Sequence, residues 1–98
     1  MSYLVLCTFD LKGATSQDYQ TAYAELGKIG IHKVHKTAEG SKAVIPTTAA
    51  MGFFSGSSAS SVCDSIRDRV KIAFRSRGLR SELFFVAADN WAWIADAT

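Results

Sequence analysis

Two stretches of helical periodicity, each flanked by apolar runs of strand length, restrict what this chain can fold into more than any other feature. Residues 3–9 (YLVLCTF) form a continuous apolar run rich in β-branched and aromatic side chains. Such a run reads as a strand buried on both faces. Residues 10–14 make a loop, and Thr15-x-x-Asp18 is a capping-box pattern that starts a helix. Tyr19, Ala22, Tyr23, Leu26 and Ile29 follow at helical spacing, and Gly30 stops the helix at the usual C′ position. The second helix is predicted over 59–77, with Val62, Cys63, Ile66, Val70, Ala73 and Phe74 on its buried stripe and Gly78 at its end. Residues 82–88 (ELFFVAA) are a second strongly apolar strand.

Between the helices the pattern is weaker. Residues 31–37 are polar and read as an edge strand on which Lys33 and Lys36 discourage pairing with another chain. Residues 42–45 suggest a short strand ended by Pro46, which cannot donate to a ladder. Residues 47–54 read as a better strand in which Gly52 marks a bulge or a close backbone approach. After a turn at Asp89-Asn90, residues 91–94 (WAWI) are a short final strand or an extended tail.

The order is β-α-β-β-α-β, the ferredoxin-like split βαβ arrangement, with an extra C-terminal strand. Right-handed crossovers put both helices on one face of an antiparallel sheet of order 4-1-3-2. The first strand and the 47–54 strand are then central. At 98 residues this is one α+β domain spanning 1–98. Hydrophobic residues at 48% and charged residues at 20% describe a globular chain, not a disordered one. No apolar run approaches the roughly 18 residues needed for a membrane span, and the first residues lack a signal peptide's basic region. Two distant cysteines, Cys7 and Cys63, point to reduced thiols and a cytoplasmic setting, with a disulfide possible only if the fold makes them adjacent.

A net charge of +2 is too mild to imply nucleic acid, but the distribution is uneven. Residues 28–80 carry ten Lys/Arg against three acids, while the remainder carries one Lys against six acids. Lys71, Arg75, Arg77 and Arg80, at and just beyond the end of the second helix, are the candidate phosphate-binding residues. Cations also suit a helix C-terminus with no ligand at all. Asp64 and Asp68, three residues before Arg67 and Lys71, partly neutralise the outer stripe. Trp91 and Trp93 alternate, so a strand shows both on one face. They either form a dimer interface or cover the open face of their own sheet. His32 and His35, three apart on a strand, point to opposite faces and do not share a metal. Phosphate loops, paired-cysteine zinc motifs and nucleophile elbows are absent.

Asp10 closes the first apolar run, where a strand end meets solvent. Its plain role is to initiate the loop before the helix. The run Leu4-Val5-Leu6-Cys7-Thr8-Phe9-Asp10-Leu11, a first strand ending in aromatic-Asp, has a second set of features beside it. These are Tyr19-Gln20-Thr21-Ala22-Tyr23, the Gly-terminated first helix and a terminal strand after the fourth. In these the chain resembles the ferredoxin-like family of the CRISPR-associated adaptation nuclease and virulence-associated protein D. The resemblance implies a homodimer joined partly through the last strand. It also implies a Mg²⁺-dependent ribonuclease site near the dimer axis, for which Asp10 is the matching catalytic and metal-binding position. The residues themselves favour a dimeric module without catalysis that contacts a protein or, through the basic end, nucleic acid.

Overall fold

Alternation along the first strand decides how the layers form. In a computed structural model covering residues 1–98, β1 (Ser2–Leu11) buries Tyr3, Val5, Cys7, Phe9 and Leu11, while the even-numbered residues between them are partly or fully exposed. The strand is therefore not buried equally on both faces. Both helices cover its odd-numbered side. α1 (Ser16–Ile29) contributes Ala22 and Leu26, and α2 (Ala59–Ser76) contributes Val62, Ile66, Val70 and Phe74. Phe9 stands at the centre of this core, edge-on to Tyr23 at 5.3 Å and to Phe74 at 5.9 Å between ring centroids. Edge-to-face packing of this kind adds to simple burial.

The helix ends are set locally. The Thr15 hydroxyl accepts from the Asp18 N–H, and the Asp18 carboxylate accepts from the Thr15 N–H at 3.0 Å. Ser58 and Ser61 make the same reciprocal cap on α2, as the serines before the helix suggest. Gly30 (φ 106°) and Gly78 (φ 69°) take the left-handed conformation that ends each helix.

The main sheet has the order β4-β1-β5, antiparallel throughout, with β4 over Ala49–Ser55 and β5 over Ser81–Ala88. The fold is α+β and consistent with the ferredoxin-like order. The fourth strand position, outside β4, is held by one bridge between His32 and Met51. The chain then leaves β4 and closes a separate hairpin of β2 (Val34–Lys36) and β3 (Lys42–Val44). The 31–37 stretch is thus an edge strand for one residue only. His35 clamps the departure point. Its Nε2–H donates to the carbonyls of His32 and Met51, at 2.8 and 2.9 Å, and since a carbonyl only accepts, Nε2 carries the proton.

The expected extra C-terminal strand is the extended tail instead. Residues 89–98 make no ladder. The tail crosses the open, even-numbered face, where Trp91 packs on Phe53 at 4.9 Å and Trp93 lies 6.3 Å from His35. Indole contact, not backbone pairing, holds it. Trp91 and Trp93 thus cover their own sheet, although Trp91 remains 40% exposed. Cys7 and Cys63 are both free thiols. No helix is long and apolar enough to cross a membrane.

Candidate anion-binding site

The end of the molecule where α2 stops, β1 ends and β5 begins gathers basic side chains from three chain segments. Lys71 and Arg75 come from the last turns of α2, Arg80 from the connection after Gly78, and Lys12 from the turn after β1. They line a cavity of about 310 Å³ with Phe74, Leu79 and Leu83 beside them, and no acidic residue lines it. Lys12 reaches this place through the β1–β5 ladder, whose last rung is its N–H donating to the Arg80 carbonyl at 2.9 Å. Sequence spacing gave no sign of Lys12, because only the strand register brings residue 12 beside residue 80.

The charges here are largely uncompensated. Arg67 takes both helix acids, Asp64 at 3.3 Å and Asp68 at 3.0 Å. Asp68 was expected beside Lys71, and its turn toward Arg67 leaves Lys71 without a partner. No carboxylate lies within 4.0 Å of Lys71, Arg75 or Arg80. Lys12 pairs with Glu82 at 3.4 Å, but both side chains are more than half exposed. Such a pair is worth about 0–1 kcal/mol and yields readily to a competing anion.

Arg77 does not belong to the group. It lies two positions beyond Arg75, about 200° around the helix, and so turns toward α1, where its guanidinium is 3.9 Å from Glu25. Glu25 is the one buried charged residue. The Lys28 ammonium, hydrogen-bonded at 2.8 Å, and the Arg77 charge hold its carboxyl below the usual range.

Attraction to the helix dipole accounts for Arg75 but not for the whole cluster. That effect is worth about 0.3–1 kcal/mol and fades beyond the last turn. Arg80 and Lys12 lie outside the helix. The final carbonyls are also already occupied, Phe74 by the N–H groups of Arg77 and Leu79 and Arg75 by that of Gly78. Four cations around one concave site with apolar walls form a place with the charge to attract a phosphate or similar anion.

Asp10 sits on the opposite surface. It is the penultimate residue of β1, with its side chain on the open face, rather than the first residue of a loop. The ladder sets it directly against Glu82, and the pair borders a shallow cavity with Thr8, Thr48 and Phe84. Two like charges opposite each other cost stability. Asp10 and Glu82 are the two carboxylates at this place, and Glu82 is already engaged by the Lys12 ammonium. No group of three or more His, Cys, Asp or Glu side chains is placed to hold a metal. His32 and His35 have ring centroids 6.5 Å apart, and the Nε2–H of His35 is spent on the two carbonyls.

No protein-family model matches the chain, and a search of curated proteins finds no match.

Proposed function

We propose that this chain is a small cytoplasmic binding module that grips the phosphate backbone of a nucleic acid through Lys12, Lys71, Arg75 and Arg80. The observation that carries the reading is the convergence of these four side chains, from three separate segments, on one cavity without an acid in its wall. The contact is electrostatic and carries no base readout. Three of the four cations are free of ion pairs, so up to three phosphates are neutralised per chain. For a single strand this gives a slope of log K against log salt of about −2. Affinity from one site is accordingly modest, in the non-specific range of roughly 10⁻⁴–10⁻⁶ M.

Fluorescence anisotropy with labelled single- and double-stranded RNA and DNA, at two salt concentrations, tests the proposal. Lys71→Glu combined with Arg75→Glu abolishes binding, and Arg77→Gln leaves it unchanged. No binding at low salt, or equal losses from Arg75→Gln and Arg77→Gln, refutes it. RNA incubated with Mg²⁺ stays intact. Cleavage that disappears in Asp10→Ala would replace this reading with a Mg²⁺-dependent ribonuclease.

A further inference from the structure

The two edges of the main sheet are treated very differently. Beyond β4 lie the His32 bridge and the hairpin, which carries Lys33, Lys36 and Lys42. Beyond β5 lies nothing. Its eight residues, SELFFVAA, pair only with β1 and include no proline, no lysine and a single charge. The tail that follows β5 does not return along it but crosses toward His35 and Phe53.

Which backbone groups this edge presents follows from the register. Lys12 N–H donates to the Arg80 carbonyl, so the even-numbered residues of β5 exchange hydrogen bonds with β1. The N–H and C=O groups of Ser81, Leu83, Phe85 and Ala87 therefore point away from the sheet. A bare, long, apolar edge of this kind is a template for another strand.

We infer that β5 pairs antiparallel with β5 of a second copy of this chain, about a two-fold axis at Phe84, to make one continuous sheet. The inference does not depend on the nucleic-acid reading. Three observations select both the partner and the register. First, the four outward residues are self-complementary only about Phe84. Ser81 then meets Ala87 of the partner subunit, and Leu83 meets Phe85 of the partner subunit, so all four N–H and all four C=O groups on each chain are satisfied. An axis one residue earlier needs Leu79, whose N–H is already given to the Phe74 carbonyl at 2.9 Å. An axis one residue later runs Ser81 against Asp89, outside the strand.

Second, Phe84 is 56% exposed on the open face, with Val86 at 45% beside it. On the axis Phe84 faces its own copy in a non-hydrogen-bonded pair, where side chains come closest. Glu82 faces Val86 of the partner subunit, and the two Glu82 residues stay about 13 Å apart along the strand. Third, the flank of α2 on the β5 side is polar and carries both signs. Lys71 shares a cavity with Ser81 and Leu83, and Asp64 and Arg67 lie on the same flank at helical spacing. A two-fold sets the copies antiparallel, so this mixed-sign flank of one helix faces the same flank of the other without a block of like charge. The same axis keeps the two Asp10 residues apart, since two copies of β5 lie between them.

Sedimentation velocity and oxidative cross-linking test this together. The intact chain sediments at twice its 10.6 kDa mass. Phe84→Lys, a change at an exposed position of the single chain, converts it to a monomer with an unchanged far-ultraviolet spectrum. Truncation before Trp91 leaves the dimer. In a Cys63→Ser background, Phe84→Cys places two thiols on opposed residues about 4.5 Å apart at Cα, within disulfide range, and cross-links. Val86→Cys in the same background does not. A monomeric wild type, a dimer indifferent to Phe84→Lys, or a cross-link at Val86 in place of Phe84 overturns the inference.

Discussion

Gly52 and Gly27 make opposite predictions for the same substitution. A Cβ added at Gly52 would lie 2.1 Å from the Gly30 carbonyl oxygen and 3.0 Å from the Phe54 ring. A carbon and a carbonyl oxygen need about 3.3 Å. The contact must therefore open by more than about 1 Å, and neither side is a flexible side chain. Gly52 is held against Val5 in the β1–β4 ladder. Gly30 is held at φ 106° by its N–H bonds to Leu26 and Gly27. Overpacking in a core typically costs 1–3 kcal/mol, and with backbone on both sides Gly52→Ala belongs at about 3 kcal/mol. For a domain this size each kcal/mol moves Tm by roughly 4–8 °C, so the drop is about 12–24 °C. At Gly27, inside α1, the added Cβ meets only the His32 ring, at 3.7 Å. There alanine relieves the entropic penalty of glycine in a helix and stabilises by about 0.5–1 kcal/mol. Thermal and urea unfolding followed by far-ultraviolet circular dichroism reads both, without relying on the tail tryptophans. Shifts of the same sign, or a loss below about 0.5 kcal/mol for Gly52→Ala, would refute the close approach of Gly52 in β4 to Gly30 at the end of α1.

The two thiols differ in the same testable way. Burial pushes Cys7 from 9.0 up to about 12, whereas Cys63 is half-buried. Ellman's reagent at pH 8 titrates one thiol in the native protein and two after unfolding; two fast native thiols would contradict the packing of β1. Because the folded state holds the Cys7 proton more tightly, its contribution is intact below pH 9 and is lost as pH rises from 9 toward 12. Cys7→Ala should flatten that part of the stability profile. The Tyr23 hydroxyl is buried beside the Ala49 backbone and completes no hydrogen bond of normal geometry. Tyr23→Phe is therefore neutral or slightly stabilising in urea unfolding, and a loss above about 1 kcal/mol would show that the hydroxyl has a partner after all.

How much of this was legible in the sequence depended on whether the signal was local. The α2 stripe of Val62, Ile66, Val70 and Phe74 and the Thr15–Asp18 cap depend on residues three or four apart, and both appear where periodicity places them. Gly52 also reads correctly as a close approach. The 31–37 and 42–45 stretches do contain strands, at 34–36 and 42–44, but their closing of a separate hairpin with one bridge to Met51 leaves no periodic trace. Trp91 and Trp93 alternate like strand residues, yet the indoles are held by Phe53 and His35, contacts that distant parts of the chain supply. Among the site residues, Lys71, Arg75 and Arg80 converge, and the rotation of α2 removes Arg77. Lys12 and the Glu82 opposite Asp10 both depend on the register of β1 with β5, which only the folded sheet fixes.

The basic cavity is the feature on which the functional account stands, and an amide-resolved titration addresses it directly. ¹⁵N-labelled protein titrated with inorganic phosphate, and then with a short single-stranded oligonucleotide, should shift the amides of Lys12, Leu79, Arg80 and Ser81 first and most. Changes spread evenly over the surface, or centred on Asp10 and Glu82 across the sheet, would contradict it.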